Sequence, residues 1–189
     1  MTETGVIHGR FQVLHNDHLK YLLAGKQRCR HLVVGITNPD PSLTRQDAAD
    51  PQRSDQATNP FSYYERLLMV RAALMEADIG LDRFAVVPFP INFPELYRYY
   101  LPLDATFFLT IYDAWGEKKL ATFQSLGLKT EVLWRRPPAE KGLTATEVRQ
   151  CMAADKEWQQ MVPPAVAELL RQWHAAERLR VYISSAGSL

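Results

Sequence analysis

The chain alternates short, nearly continuous apolar runs with longer segments in which apolar residues recur every three or four positions. A short apolar run bounded by turn residues is typical of a buried strand, whereas the three-to-four spacing is typical of a helix. The runs predict strands at residues 6–7, 31–37, 84–87, 105–109 and 130–133. Because helical segments separate these strands, we predict an α/β fold with a parallel, doubly wound sheet whose ligands bind outside the carboxyl ends of the strands.

Local signals mark where several helices begin and end. Ser62 precedes Glu65 by three positions ahead of an apolar series, which predicts a capping box and a helix of about four turns that ends near Gly80. Thr144 is expected to cap a shorter helix that runs through Met152. The other helices are predicted at residues 19–23, 114–126 and from 164 to about 176.

The length of 189 residues, 47% of them apolar, suits one domain with a substantial core and is too short for two domains of ordinary size. We therefore expect a single domain over residues 1–183, closed by the C-terminal helices, with residues 184–189 as a frayed tail of turn composition. Residues 39–60 carry almost no large apolar side chain. This segment is expected to be a long surface loop, either a mobile decoration or a lid over a ligand.

The 22 basic and 21 acidic residues nearly cancel, to a formal net charge of +1. Such a balance gives no global field of the kind that general nucleic-acid or membrane binders carry, so we expect neither partner. Cys29 and Cys151 lie far apart without metal-ligand neighbours, as do ordinary thiols in a reducing compartment. With no signal-peptide pattern and no membrane-spanning window in the sequence, a cytoplasmic location is expected.

The densest polar cluster follows the first predicted strand and includes Gly9, Arg10, His15 and His18. At this place in a doubly wound sheet, free backbone N–H groups and the helix dipole bind phosphate. We expect Gly9 to let the backbone approach a ligand and Arg10 to clamp it with paired hydrogen bonds. The two imidazoles can donate to one anion, and since no third metal ligand is evident we expect no metal site there.

A second cluster, Thr144, Thr146 and Arg149, opens a helix far away in the sequence. Its two hydroxyls and free N–H groups also suit a phosphate. If the fold brings both clusters together, they bracket a polyphosphate from two helix ends, as phosphoryl or nucleotidyl transfer requires. Such a reaction needs no nucleophilic side chain.

These residues carry a family resemblance. Residues 9–18, GRFQVLHNDH, resemble the GRFQPxHxGH segment of the nucleotidyltransferase superfamily, and residues 143–149, LTATEVR, resemble its SSTxIR-type motif. The segments around Asn59-Pro60-Phe61 and Glu177-Arg178-Leu179 are similar to the archaeal-type nicotinamide-nucleotide adenylyltransferases. The resemblance spans most of the chain and implies a Rossmann-like domain that joins ATP, with Mg²⁺ on its triphosphate, to a mononucleotide and releases pyrophosphate.

The resemblance also implies roles for individual residues. His18 and Arg149 are expected to stabilise charge on the phosphates undergoing transfer, and His15 and Arg10 to orient the ATP polyphosphate. The remaining residues that it assigns to ATP or phosphate are Gly9, Phe11, Gln12, Thr144 and Thr146.

Asp17 stands where the resembled motif has a glycine between its two histidines. Two interpretations remain open. The carboxylate repels phosphate unless Mg²⁺ or Arg10 offsets its charge, or Asp17 caps the helix and leaves activity intact. Val13, in place of the motif's proline, is a milder change.

The segment that corresponds to the family's DIxxNxxW-type motif, residues 90–97, departs further. Pro94 replaces an asparagine and Tyr97 a tryptophan. The substrate-binding residues that the resemblance implies are Asn92, Phe93 and Tyr97, and the ring of Tyr97 is able to stack on a base.

We therefore expect an enzyme, an adenylyltransferase that joins ATP to a pyridine mononucleotide. Nicotinamide mononucleotide is the favoured acceptor, with NAD and pyrophosphate as products. Two alternatives stay open: the same chemistry with ATP or CTP and another phosphorylated acceptor, and a non-catalytic nucleotide-binding regulatory module. The sequence leaves the acceptor and a homo-oligomeric state open.

Overall fold

The computed structural model describes residues 1–44 and 59–186, and their side chains as far as Val181. In these ranges the chain forms a five-stranded sheet whose neighbouring strands are all parallel. The strands are β1 (Thr2–Gly9), β2 (Cys29–Thr37), β3 (Phe84–Phe89), β4 (Thr106–Ile111) and β5 (Lys129–Arg135). Their order is β3-β2-β1-β4-β5. The predicted strands and the predicted α/β fold with a parallel, doubly wound sheet are confirmed.

Helices separate and cover the strands. They are α1 (Asn16–Lys26), α2 (Tyr63–Glu76), α3 (Ala114–Ser125), α4 (Ala145–Ala153), α5 (Pro164–Gln172) and α6 (Ala175–Ala186). The capping boxes at Ser62 and Thr144 begin α2 and α4, so the predicted starts of these helices are confirmed. Within the described ranges, no helix is both long and apolar enough to cross a bilayer.

The C-terminal helices differ from the prediction. The single helix expected from residue 164 to about 176 is wrong, because His174 adopts a left-handed φ of 50° that separates α5 from α6. Helix α6 continues through Ala186, so residues 184–186 do not have the turn structure expected of the tail. Residues 187–189 lie outside the described residues.

The sheet is buried on both faces. Neighbouring residues of a strand point to opposite sides, and Ile7 and Phe108 enter a core shared with α1, α2 and the C-terminal helices. Val6 and Phe107 point the other way, into a second core with Phe123 of α3. Burial on both faces explains why the strands read as continuous apolar runs rather than alternating ones.

The strand order reverses at the centre of the sheet. From β1 the chain passes through α1 to β2 on one side, and later reaches β4 on the other side of β1. The connections after β1 and β4 therefore diverge, and a crevice opens between them at the carboxyl ends of the strands. Both predicted motifs lie at this edge of the sheet.

Most of the loop predicted at residues 39–60 falls on residues 45–58, which lie outside the described residues. At its start, a 3-10 turn spans Pro41–Leu43, and the carboxylate of Asp40 caps it by accepting the backbone N–H groups of Ser42 and Leu43 at 2.8 and 3.0 Å. Whether the loop decorates the surface or closes over a ligand stays a prediction.

Buried Arg66 of α2 joins the loops at this edge of the sheet. All five guanidinium N–H groups donate to backbone carbonyls. The acceptors, at 2.8–3.3 Å, are the carbonyl oxygens of Arg10, Thr37, Asn38, Pro39 and Ser62. Burial lowers the pKa of Arg66 to about 10, so the group is still charged at neutral pH. One guanidinium thus holds the loops after β1 and β2 against the start of α2.

We predict that Arg66→Ala lowers the free energy of unfolding by about 3 kcal/mol or more, because it leaves several buried carbonyls without a donor. Arg66→Lys should lower it substantially too, since an ammonium has three donors for five acceptors. Urea unfolding measures both. The matched control is Arg71→Ala on the exposed face of the same helix, with an expected change within about 0.5 kcal/mol. A loss for Arg66→Ala no larger than for Arg71→Ala would contradict the prediction.

Candidate active site

A cleft of about 400 Å³ opens at the crevice in the sheet. Its walls come from the ends of β1, β2 and β4 and from the starts of α1, α3 and α4. Residues of both predicted phosphate motifs line it, namely Arg10, His15 and His18 of the first and Thr144 and Thr146 of the second. The two clusters, more than a hundred residues apart in sequence, therefore share one site.

His15 and His18 cap each other at the start of α1. His15 is the N-cap residue, and its Nδ1 accepts the backbone N–H of His18 at 3.4 Å. In return, Nδ1 of His18 accepts the backbone N–H of His15 at 3.4 Å. The two rings stack with 3.7 Å between their centroids. The alternative that Asp17 caps this helix is wrong, because the cap position is already taken by His15.

The caps determine which ring nitrogen carries the proton. Each Nδ1 accepts a hydrogen bond, so in the neutral ring the proton lies on Nε2. Burial lowers the pKa of His15 to about 4. Burial, followed by the charge of neighbouring His15, lowers the pKa of His18 well below its ordinary value. At neutral pH the cleft thus holds two uncharged rings with the proton on Nε2, and the backbone of Val13 is a further hydrogen-bond partner of the His18 ring.

The ring of Phe11 packs against the His18 ring of this pair. Its ring is fully buried and meets the His18 ring edge to face, with 5.1 Å between centroids. A Cβ on Gly9 would lie 2.8 Å from the Phe11 ring, so only glycine leaves that ring its place. Gly9 was expected to admit a ligand to the backbone and Phe11 to bind ATP or phosphate. The structure gives both residues a packing role, because the Phe11 ring lies against Gly9 and His18. Both also line the cleft, so their contact with a ligand stays a prediction.

The side chain of Gln12 is also used within the protein. Its Nε2 donates to the carbonyl of Phe61, and its Oε1 accepts the backbone N–H of Phe61, both at 2.8 Å. The Gln12 amide thus bonds the Phe61 backbone through both its nitrogen and its oxygen, and 2% of the residue's surface is exposed. Gln12 also lines the cleft, so its predicted contact with phosphate stays a prediction. It fastens the segment that precedes α2 to the loop after β1.

Arg149 connects the two motifs. Its guanidinium donates to the carbonyl of Gln12 and, at 3.2 Å, to the hydroxyl of Thr146. Thr144 caps α4 by accepting the N–H of Glu147 at 3.3 Å. The threonines line the cleft, whereas Arg149 is 8% exposed and lies outside its lining. A carbonyl and a hydroxyl thus hold the guanidinium, and the direct phosphate contact of Arg149 stays a prediction.

The structure does not bring the three predicted substrate-binding residues together in the cleft. Asn92 lines the cleft, but Phe93 does not. Tyr97 is 2% exposed and donates from its hydroxyl to the carbonyl of Ile91 at 2.5 Å. It packs edge to face on Phe89, 4.7 Å between centroids. The burial of Tyr97 does not support the predicted substrate contact, because the 3-10 segment Pro94–Tyr99 turns its ring into the core.

Sequence reasoning missed the residues that line the cleft beyond β4. These are mainly Tyr112, Trp115, Lys119, Trp134 and Lys141. The indole N–H of Trp134 donates to the hydroxyl of Tyr112 at 2.6 Å. A prediction of the strand order would have indicated these residues, because the chain that follows β4, on the other side of β1 from β2, faces the first motif.

We predict that the free energy of unfolding falls as the pH is lowered from about 6.5 toward 4. In this window the unfolded chain binds more protons, because burial holds the pKa of folded His15 at about 4 while an unfolded imidazole titrates near 6.5. Stability therefore rises with pH there, His15 contributing up to about 1.4 kcal/mol per pH unit.

Urea unfolding between pH 4 and 7 measures this slope in variants. His15→Asn keeps an acceptor for the cap but does not titrate, so its slope should be shallower. His174→Asn is the control, because that residue is exposed and asparagine tolerates its left-handed backbone. Equal slopes for the wild type and His15→Asn would contradict a buried, neutral ring.

Comparison with known proteins adds to this geometry. The family model described as cytidylyltransferase-like matches residues 6–151. The phosphonoformate cytidylyltransferase of Streptomyces viridochromogenes is 51% identical over 177 residues, which cover 94% of this chain and 95% of that protein. The nicotinamide-nucleotide adenylyltransferase of Pyrococcus horikoshii is 32% identical over 180 residues, which cover 93% of this chain and 87% of that protein.

Among solved structures, a bifunctional NMN adenylyltransferase/ADP ribose pyrophosphatase of Francisella tularensis aligns with a TM-score of 0.71 at 17% identity and covers 99% of this chain. The chain spans about half of that protein, 54% of its length, and the likeness shows the fold alone. The family match is more telling, since it runs from β1 to α4 and includes both motifs of the cleft. The chain belongs to the cytidylyltransferase-like family of nucleotidyltransferases.

Proposed function

We propose that this protein transfers a cytidylyl group from CTP to a small phosphonate or phosphate acceptor and releases pyrophosphate. The observation that carries the proposal is the 51% identity to the phosphonoformate cytidylyltransferase along nearly the whole of both chains. Identity at this level across the elements that build the cleft supports the same nucleotide and the same class of acceptor. Phosphonoformate is therefore the first acceptor to test.

The end of the cleft near Asn92 supports a small polar acceptor more than a pyridine nucleotide. Thr37, Asn38 and Asn92 contribute to its lining, and their groups suit hydrogen bonding to a small polar ligand. Tyr97, the ring that the resemblance assigned to a pyridine base, is buried and hydrogen-bonded to a backbone carbonyl. A pyridine acceptor would have to bind without that ring.

In the proposed reaction, an acceptor oxygen forms a bond to the α-phosphorus of CTP. The bond from that phosphorus to the bridging oxygen breaks, and pyrophosphate leaves with this oxygen. The Nε2–H of His18 donates to the phosphate being transferred, while His15 and Arg10 orient the polyphosphate. Thr146 and the free N–H groups at the start of α4 hold its other side. The protein thus supplies position and charge stabilisation, and the substrate supplies the nucleophile.

We propose that Mg²⁺ binds in the cleft together with the triphosphate of the nucleotide. In the part of the chain that the structure describes, no three acidic, histidine or cysteine side chains gather as a metal site. The carboxylates in the cleft, Asp17 and Asp113, pair with Lys20 and Lys141. This donor set suits a cation that takes most of its ligands from phosphate and water. When bound, Mg²⁺ neutralises charge on the phosphates.

A second candidate is adenylyl transfer to nicotinamide mononucleotide, a step of NAD biosynthesis. The observation in its favour is the 32% identity to the nicotinamide-nucleotide adenylyltransferase of Pyrococcus horikoshii over most of both chains. The structure adds that Phe61 of the shared Asn59-Pro60-Phe61 segment is clasped by Gln12 at the edge of the cleft. This candidate differs from the first in both substrates, so one assay separates them.

The assay combines CTP or ATP, with Mg²⁺, with phosphonoformate, nicotinamide mononucleotide or nicotinic acid mononucleotide. We expect CTP with phosphonoformate to give the highest kcat/KM, by about 100-fold or more over ATP with nicotinamide mononucleotide. Coupled detection of pyrophosphate gives the rate, and ³¹P NMR identifies the new phosphorus–oxygen–phosphorus linkage. Faster NAD formation from ATP would overturn the proposal in favour of the second candidate, and nucleotide binding without pyrophosphate release would favour a regulatory module.

We expect His18→Ala to lower kcat by about 100-fold or more and to change KM for CTP by less than about threefold, because the ring donates to charge that develops in the transition state. Steady-state kinetics with the best substrate pair measure both constants. His31→Ala, outside the cleft, is the control and should keep wild-type kinetics. An unchanged kcat in His18→Ala, whatever the KM, would contradict a role for this ring in the transition state.

A further inference from the structure

We propose that Asp17 is a positioning residue, whose carboxylate holds the loop before α4 in register with the first turn of α1. The proposal rests on the proposed nucleotidyl transfer for its effect on catalysis, but the contact itself is independent of any substrate. Asp17 is the residue that replaces the glycine of the resembled motif. It lies in the first turn of α1, between the two histidines of the cleft.

Two hydrogen bonds engage the carboxylate, one on each oxygen. Oδ2 accepts the backbone N–H of Leu143 at 2.8 Å, across 126 positions of sequence. Oδ1 accepts from the ammonium of Lys20 at 2.7 Å. A single side chain therefore joins the first turn of α1 to the loop that leads into the cap of α4.

The backbone conformation of Gly142 and its lack of a side chain leave room for this carboxylate. Its φ of 71° is in the left-handed region, which favours glycine. A Cβ at this position would lie 2.4 Å from Oδ2 of Asp17. The space that a side chain at residue 142 would occupy is thus filled by the carboxylate of residue 17, so the two residues form a matched pair.

The contact between Asp17 and Leu143 matters for the cleft because it positions part of the cleft wall. Leu143 and Thr144 line the cleft, and Thr144 is the N-cap of α4. The guanidinium of Arg149 makes the other link between these segments, to the carbonyl of Gln12. These two links involve Gln12 and Asp17, which lie before and after His15 in the sequence. Together they hold the start of α4 facing the histidines, as a polyphosphate bound to both requires.

The charge of Asp17 is compatible with a phosphate site. Burial alone would raise the pKa of this carboxyl, but the hydrogen bonds from Lys20 and from Leu143 N–H bring it below its usual value. The group is therefore ionised at neutral pH and paired with a cation. The sequence left open whether Mg²⁺ or Arg10 offsets this charge, and the structure gives that role to Lys20.

The test compares Asp17→Gly, which restores the residue of the resembled motif, with Asp17→Asn, which keeps an acceptor oxygen, and Lys20→Ala, which removes only the exposed partner. Amide hydrogen exchange followed by NMR reports the Leu143 N–H. Calorimetry with inorganic tripolyphosphate reports the cleft without CTP or acceptor, so both readouts stand even if the proposed substrates are wrong.

For Asp17→Gly we expect exchange at Leu143 to be faster by about tenfold or more and tripolyphosphate to bind about tenfold more weakly, because a hydrogen bond to a charged group is lost. Asp17→Asn should recover most of both effects. Lys20→Ala should leave exchange at Leu143 within about twofold of the wild type, because the hydrogen bond from Leu143 N–H to Asp17 remains. Thermal melting confirms that each variant is folded. Wild-type exchange and affinity in Asp17→Gly, or an equal acceleration of exchange at Leu143 in Lys20→Ala, would overturn the proposal.

A double-mutant cycle with Gly142→Ala separates positioning from simple backbone strain. In the wild type, the new Cβ displaces the carboxylate, so exchange at Leu143 should rise as it does in Asp17→Gly. In the Asp17→Gly background the same substitution adds only the strain of a left-handed alanine, and exchange should change little further. Additive effects on exchange would show that residues 17 and 142 act independently and would overturn the proposal.

Discussion

The reciprocal cap between His15 and His18 sets both the shape and the charge state of the cleft. Each ring satisfies the other's backbone N–H through Nδ1, and so each must hold its proton on Nε2. Burial then disfavours the imidazolium, which leaves two neutral donors stacked at the N-terminus of α1. A helix start already attracts an anion through its free N–H groups and dipole. The rings extend that attraction into the cleft without adding a buried charge.

The surrounding residues keep this helix start in place mainly by binding backbone. Arg66 donates to five carbonyls, Gln12 clasps both polar groups of Phe61, and Arg149 donates to the carbonyl of Gln12. Asp17 accepts the N–H of Leu143. These contacts tie the loops that follow β1 and β2 to the starts of α2 and α4. A site that stabilises charge during transfer needs such fixed donors, because donors that must reorient lose part of their benefit.

The fold could be predicted from local signals, and the members of the site only in part. Apolar runs indicated the strands, and Ser62 and Thr144 marked their helices by capping, which acts over three residues. The roles of Gln12, Arg149 and Tyr97 were missed because their partners depend on tertiary packing: Gln12 meets a residue 49 positions away, Arg149 one 137 positions away, and Tyr97 turns into the core. The left-handed His174 that divides α5 from α6 has no comparable signal in its neighbours. Sequence spacing indicates candidate residues for a site, whereas tertiary contacts determine which of their atoms remain available to a ligand.

The central claim is that neutral Nε2–H rings of His15 and His18 receive the polyphosphate. Long-range ¹H–¹⁵N NMR of the imidazoles at pH 7, with and without inorganic tripolyphosphate, tests it most directly. We expect both rings to be neutral with the proton on Nε2 before addition, and their Nε2–H resonances to shift as the ligand binds. Rings protonated on Nδ1, rings already present as imidazolium in the free protein, or binding that leaves both resonances unchanged would contradict the claim.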